Sequence, residues 1–430
     1  MRDEQDLIQT LRAAADQVRR SDLAEGVARR RRTRRTRQRV QVLLAAVAVV
    51  AIAGGVTAVL PGEDRQQPGP AVEVSPSPSV SEALVPATKP VAELWPQAML
   101  KVPLKNPDGW KTYPVTGLSA TEVLLVANSR FEKAGRLETY DSASGRSRVL
   151  GSIPSPEKKY YPQLFAVGAE YIAWFGETPQ DSDDWADFWI MPRQGGAARR
   201  VGEVDADVEK IAVTDGFVVW SVRKGGVYRM PLSGGGAAER LPGTDGLHLT
   251  AWPWAAGRAG ERPDANQNRL VNLETGQSFD VSLPAGVEAM QCNAQWCVGV
   301  LEGHVIVQRI DGSERKSLPQ GLRPNRMRSL MGDRYAVFKV YDPDRTKTDV
   351  PIAVVYDLAT GVSAGIGRRS AGVLSGSMTV STSSSSPSTA VYWDADQESY
   401  EECGKTTGCA VKTRGGGKEY TVVNLMAVTR

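Results

Sequence analysis

Four cysteines, two histidines and two clusters of aspartate hold most of the side-chain chemistry open to this 430-residue chain. The cysteines fall as two close pairs, Cys292 with Cys297 and Cys403 with Cys409. An even number at short separation favours two disulfides, each stapling a hairpin, in a compartment that oxidises thiols. A zinc site would need four converging ligands, and neither a Cys-x2-Cys spacing nor an adjoining histidine is present. His248 and His304 stand far apart, and neither belongs to a G-x-S-x-G, H-E-x-x-H or phosphate-loop motif. Each is expected to be a structural residue of a strand, and Ser383–Ser386 to be a loop rather than a set of nucleophiles. No catalytic residue, cofactor or metal is expected.

The segment Glu177–Trp189, ETPQDSDDWADFW, gathers Asp181, Asp183, Asp184 and Asp187 around Trp185 and Trp189. Carboxylates beside exposed indoles suit a glycan, whose faces stack on rings, or a protein partner anchored by tryptophan. The plainer alternative is a solvated acidic loop with its tryptophans packed inward. Tyr341–Asp349, YDPDRTKTD, offers Asp342, Asp344 and Asp349 to a calcium ion helped by carbonyls. Its spacing matches no calcium loop, so an ordinary hairpin loop is expected.

These residues are carried by a repeat. The hairpin pattern TYDSASGRSRVL (Thr139–Leu150) returns as IMPRQGGAARRV, RMPLSGGGAAERL, LVNLETGQSFDV, QRIDGSERKSL and VYDLATGVSAGI. A degraded seventh copy is VKTRGGGKEYTV (Val411–Val422). Its turn glycines are Gly145, Gly195, Gly234, Gly276, Gly312, Gly361 and Gly416. Ahead of each hairpin comes a turn and an apolar run, as in SATEVLLVA (Ser119–Ala127), VGAEYIAWF and VTDGFVVWS. CNAQWCVGV, MGDRYAVFK and SGSMTVSTS (Ser375–Ser383) are weaker copies, and the one near Ala251–Ala255 is poor. Two hairpins per period make a four-stranded blade, and about seven periods make an all-β propeller, with six or eight blades as alternatives. AMLKVPL (Ala98–Leu104) is expected to complete the last blade and close the ring. A pair of β-sandwiches is the competing fold.

The beginning of the chain is organised differently. Residues 1–39 hold twelve arginines against six acidic residues, and the first lysine is Lys89. Val42–Leu60 is nineteen residues without a charge, enough for a helix of roughly 28 Å, close to the hydrocarbon thickness of a bilayer. Eight arginines between Arg29 and Arg39 flank it on one side only, which places residues 1–39 in the cytoplasm and the remainder outside. Those arginines would also meet anionic headgroups. A retained single-pass anchor at 40–60 is expected rather than a cleaved signal peptide, whose basic region is shorter. A nucleic-acid arm would need folded or aromatic support that this stretch lacks.

Before the arginines, Leu7, Ile8 and Leu11 lie at helical spacing, a face for a cytoplasmic partner or for the membrane surface. Seven prolines with interleaved serines make 61–92 an extended spacer, leaving 93–430 for the propeller. The layout of residues 1–60 resembles actinobacterial-type membrane proteins with a helical cytoplasmic stub, an Arg-rich stop, one Ala/Val-rich span and an extracytoplasmic sensor. Some proteins of that plan are sigma-factor-associated regulators. A zinc-binding anti-sigma domain is excluded, because no His or Cys precedes His248. The turns Asn272–Gly276 and Asp357–Gly361 are similar to those of quinoprotein and surface-layer-type propellers.

The expectation is therefore a membrane-anchored, extracytoplasmic module that binds or senses a ligand or protein without catalysing a reaction. Alternatives are a wall- or glycan-binding scaffold and a propeller enzyme such as a lyase, hydrolase or quinone-dependent dehydrogenase.

Overall fold

Short strands rich in Val, Ile, Tyr and Trp, separated by Gly-containing turns, cannot bury both faces singly and must stack as sheets. The computed structural model describes residues 88–428, apart from 130–134, 157–159, 179–184, 325–329, 343, 345, 370–379, 383–384 and 405–407. The expected cytoplasmic helix with Leu7, Ile8 and Leu11, the expected span at 40–60 and nearly all of the expected spacer lie outside the described residues. Among the described residues no helix is long and apolar enough to cross a membrane.

Strand β1 (Lys89–Pro90) comes first, then a single helical turn (Val91–Leu94) and β2 (Met99–Pro103). Blade 1 is β3 (Lys111–Gly117), β4 (Glu122–Asn128), β5 (Arg136–Asp141) and β6 (Arg146–Ser152). Blade 2 is β7 (Tyr161–Val167), β8 (Tyr171–Glu177), β9 (Ala186–Pro192) and β10 (Arg199–Val204). Blade 3 is β11 (Val208–Val213), β12 (Phe217–Val222), β13 (Val227–Pro231) and β14 (Glu239–Arg240). Blade 4 is β15 (Leu247–Ala251), β16 (Trp254–Arg258), β17 (Gln267–Asn272) and β18 (Ser278–Asp280). Blade 5 is β19 (Glu288–Cys292), β20 (Trp296–Leu301), β21 (His304–Arg309) and β22 (Lys316–Ser317). Blade 6 joins β23 (Leu322–Pro324) and β24 (Leu330–Met331) to β25 (Tyr335–Val340), β26 (Ala353–Asp357) and β27 (Ser363–Ile366). Blade 7 is β28 (Val380–Thr382), β29 (Ala390–Trp393) and β32 (Glu419–Asn424), completed by β2. Between β29 and β32 the chain makes a separate hairpin, β30 (Gln397–Gly404) and β31 (Gly408–Gly415).

Seven hydrophobic clusters hold these sheets, and each joins two blades adjacent in sequence or, for the last, blades 7 and 1. A cluster at every seam, including the one between the chain's two ends, is what a closed ring requires. The fold is a seven-bladed propeller. At the closing seam Leu100 and Val102 of β2 pack with Val123, Leu125 and Tyr140 of blade 1 and Tyr420 and Val422 of β32. The register runs antiparallel from Met99 opposite Val423 to Pro103 opposite Glu419. The expected closure by Ala98–Leu104 is therefore present.

The first strands β3, β11 and β15 are mostly buried, whereas the fourth strands β14, β18 and β22 are exposed. Six of the seven expected turn glycines join third to fourth strands, and all seven have positive φ, from 67° at Gly145 to 143° at Gly416. Gly276 illustrates the geometry. Its N–H donates to the Asn272 carbonyl at 2.8 Å, while the Asn272 side chain accepts from Glu274 and Thr275 N–H. At φ 72° a side chain there would be strained.

Two parts of the expected repeat are corrected. VKTRGGGKEYTV is not a seventh third-to-fourth-strand hairpin, because it runs from β31 into β32 and the fourth strand of blade 7 is β2. Ser375–Ser383 does not hold a second strand either: its described part, Val380–Thr382, is the first strand of blade 7. Within the described residues, Lys89–Pro90 pairs in parallel with β27 as an added strand on blade 6.

Arginines tie the blades together where the polar turns meet. Arg148 of blade 1 donates to the Gln194 carbonyl of blade 2 at 2.7 Å, and Arg199 of blade 2 donates to the Leu232 and Ser233 carbonyls of blade 3. Arg199→Ala is expected to lower stability by about 1–2 kcal/mol, read as a lower urea midpoint with unchanged far-UV circular dichroism.

Candidate functional site

Successive strands alternate in direction, so the ring has two unlike faces. One carries the first-to-second and third-to-fourth strand turns, and we call it the turn face. The other collects second-to-third strand loops and blade-to-blade connections, including 259–266, 341–352 and the β30–β31 hairpin. On this long-loop face, at the inner ends of blades 3 and 4, three charged or titratable side chains converge.

Glu209 occupies a register irregularity of β11, between Val208 opposite Val222 and Lys210 opposite Ser221. A bulge re-aims its side chain out of the pleat. His248 is the second residue of β15, and Arg258 is the last of β16 beside another irregularity. Glu209 Oε2 accepts from His248 Nδ1 at 2.7 Å, and Oε1 accepts from Arg258 Nη2 at 2.7 Å. The three side chains are 11%, 9% and 9% exposed. Burial alone would raise the Glu209 carboxyl, but the His248 hydrogen bond and the Arg258 charge outweigh it and hold the group below its usual range. Arg258 Nε and Nη1 are buried without a hydrogen-bond partner.

The sign for stability follows. A carboxyl whose pKa is lowered on folding stabilises the fold above its unfolded value, and that contribution is lost as pH falls through the folded value. Unfolding midpoints measured on descending from about pH 5 should drop more steeply for the parent protein than for Glu209→Gln, which has no such proton to take up.

The sequence-derived candidates lie elsewhere on the ring. Asp187 and Trp189 belong to β9 rather than to a loop, and Asp187 is fully buried. It accepts from Tyr160 Oη at 2.5 Å and from Trp189 Nε1 at 2.9 Å, with Arg200 Nε 3.4 Å away. Burial raises both the Asp187 carboxyl and the Tyr160 hydroxyl. Gly176 makes room, because a Cβ there would lie 1.8 Å from Tyr160 Oη. This cluster knits blade 2 internally and faces no solvent at its carboxylate. Trp185 is half-buried, its Nε1 3.3 Å from Glu203. Asp181, Asp183 and Asp184 lie outside the described residues.

In the Tyr341–Asp349 loop the carbonyls a cation would need are already engaged. The buried Arg369 donates to the main-chain oxygens of Asp342, Asp344 and Lys347. Asp342 lies 3.5 Å from Lys347 Nζ, and Asp344 accepts from Thr346. A guanidinium thus holds the described part of the loop.

Cys292 and Cys297 are opposite one another on β19 and β20 and form a disulfide within the apolar seam of blades 4 and 5. Cys403 and Cys409 face each other in the β30–β31 register, their side chains lying outside what is described. His304 is half-buried, its Nδ1 3.4 Å from the Leu318 carbonyl. Ser385 and Ser386 are pinned rather than loose: Ser386 N–H donates to the Phe165 carbonyl and its carbonyl accepts from Val167 N–H.

Comparisons with known proteins show no family. No protein-family model matches the chain, and no curated protein matches its sequence. A chain of a mitotic checkpoint complex is 10% identical, covering 76% of this chain and 94% of its own, with a TM-score of 0.38. Apo AztD from Citrobacter koseri is 13% identical, covering 75% and 96%, also at 0.38. A puromycin-hydrolyzing peptidase of Mycobacterium tuberculosis is 13% identical over 57% of this chain and 45% of its own, at 0.36. The seven sheets and seven seams define the fold independently of these.

Sequence reasoning passed over Glu209, Arg258, Arg369 and Tyr160. Glu209 and Arg258 are 49 positions apart and in different blades, so no periodicity links them. Arg258 is the one charge of β16, but Glu209 sits beside Lys210 in β11 and did not stand out.

Proposed function

We propose that the chain is a single-pass membrane protein that displays its propeller outside the cell as a binding or sensing module, without catalysing a reaction. What carries this reading is the Cys292–Cys297 disulfide, taken with the uncharged run at Val42–Leu60 and the arginines before it. A disulfide between strands belongs to an oxidising compartment, which is the side to which the positive-inside rule assigns everything after Leu60.

The ring itself favours binding over chemistry. Both Glu209 oxygens are held by His248 and Arg258, an arrangement that fixes charge in place rather than freeing a base. The long-loop face supplies the variable surface that recognition uses. On the other side of the membrane, Leu7, Ile8 and Leu11 give the cytoplasmic stub a face for a regulatory partner.

Intact mass of the protein extracted from host membranes tests the anchor. A full-length mass is expected. A mass beginning near residues 59–63, with the protein in the medium, would mean a secreted propeller and would end any role for Leu7, Ile8 and Leu11.

A further inference from the structure

We propose that the turn face of the ring rests against anionic lipid headgroups, along the edge that runs from blade 6 through blades 7 and 1 to blade 2. The inference rests on the membrane anchor proposed above and says which way the anchored ring points.

Three observations converge. The first is the direction in which the chain enters. β27 follows the turn 358–362 on the turn face and runs toward the long-loop face. β1 pairs with it in parallel, Lys89 opposite Ala364 and Pro90 opposite Gly365. The chain ahead of Lys89 therefore reaches the ring from the turn-face side. That path is fixed, because Val91 and Trp95, just beyond β1, are buried in the seam of blades 6 and 7, with Trp95 edge-on to Tyr335.

The second is where apolar surface is left open. Among the described residues the exposed large apolar side chains are Val149, Phe279, Val362 and Met426, at 37–51%. Val362 lies in the β26–β27 turn and Met426 just after β32, both on the turn face. Phe279 is the second residue of β18 after its turn, and Val149 is on the outer strand of blade 1. None is on the long-loop face. Single exposed apolar residues are ordinary, but their confinement to one side suits a surface whose side chains enter the boundary between headgroups and acyl chains.

The third is charge. Exposed acids of the turn face gather on blades 3 to 5, at Asp215, Glu274, Asp311 and Glu314. The edge from blade 6 to blade 2 carries exposed Arg146, Arg148 and Arg199 instead, with Glu170 and Asp333 as its exposed acids. Arg148 and Arg199 donate to main-chain carbonyls, which leave their charge in place. Arg146 has no partner among the described residues, and Asp141, opposite it in register, accepts from Ala143 and Ser144. The guanidinium fork matches phosphate oxygens. Each cation near an anionic bilayer is worth about fivefold in binding. So placed, the ring turns the loops 259–266 and 341–352 away from the membrane, where the binding module needs them.

The test is fluorescence quenching in the full chain, reconstituted through its anchor into phosphatidylcholine vesicles with or without phosphatidylglycerol. A bimane label is placed at Ala359→Cys, in the turn beside Val362, or at Ala259→Cys, on the long-loop face. Both positions are exposed, and the parent gives the background of its own cysteines. Headgroup spin-labelled lipid should quench the label at 359 strongly, more so with phosphatidylglycerol, and the label at 259 weakly. Arg146→Glu changes the charge by two without removing a contact of the fold, and should lower the ratio of docked to free ring tenfold or more. Equal quenching at both positions, or none at either, would overturn the proposal. So would quenching at 359 that ignores phosphatidylglycerol and Arg146→Glu, which would leave the arginines to some other polyanion. A chain that fails to float with the vesicles would remove the anchor and this proposal together; one that floats with residue 359 far from lipid removes the proposal alone.

Discussion

Val102→Asp is expected to prevent a stable ring from forming. Val102 is a fully buried residue of β2, packed against blade 1 at the closing seam. The substitution places a charge among Leu100, Val123, Leu125 and Val422 and severs the contact that joins the two ends of the ring. A buried unpaired charge and a lost seam together should cost about 4 kcal/mol or more. The expected result is loss of the cooperative thermal transition, with exposed apolar surface and aggregation. Lys101→Ala, on the exposed side of the same strand, should change the transition little, losing one contact with Thr421. If Val102→Asp unfolds as the parent does, blade 7 is not closed by β2.

The second large effect is expected at Glu209→Ala. Removing one member of a buried pair leaves the other uncompensated, which costs about 3–5 kcal/mol. Here the carboxylate serves both Arg258 and His248, so deletion strands a buried guanidinium that already has two unpartnered nitrogens. Glu209→Gln keeps an acceptor for one neighbour and should lose less. Urea midpoints of the three proteins at neutral pH give the order parent, Gln, Ala. The double variant Glu209→Ala with Arg258→Met should recover part of the loss, because the stranded charge is gone. Equal stability for Glu209→Ala and the parent would mean that the pair is solvated and carries no weight.

These expectations depend on features of different legibility. The ring was readable because blades repeat locally: Gly145, Gly195, Gly234, Gly276, Gly312 and Gly361 occupy equivalent turns, each within a few residues of its paired strands. Cys292 and Cys297 were readable for the same reason, being cross-strand neighbours on one hairpin. Blade 7 was misread at Gly416 because an extra hairpin, β30–β31, interrupts the period, and the glycines that lead from β31 into β32 mimic the repeat. Asp187 was read as loop because the acids before it mask the start of β9. Its partner Tyr160 just precedes β7, two strands away in the sheet, and Arg200 stands on β10, so no spacing rule connects them. Long-range polar pairs such as Glu209 with Arg258 are set by how blades abut and by bulges that turn a side chain inward, neither of which is periodic. The part that positions the site was thus legible, and the site was not.

The central claim is that the propeller stands outside a membrane that the chain crosses once. Labelling of intact cells with a membrane-impermeant maleimide tests it most directly, using Ser21→Cys and Ala143→Cys in the full chain beside the parent. Ala143 lies exposed in the β5–β6 turn, and Cys292 and Cys297 are already joined to each other. The account predicts labelling at residue 143 without lysis and at residue 21 only after lysis. Labelling at 21 in intact cells, or at 143 only after lysis, would contradict it.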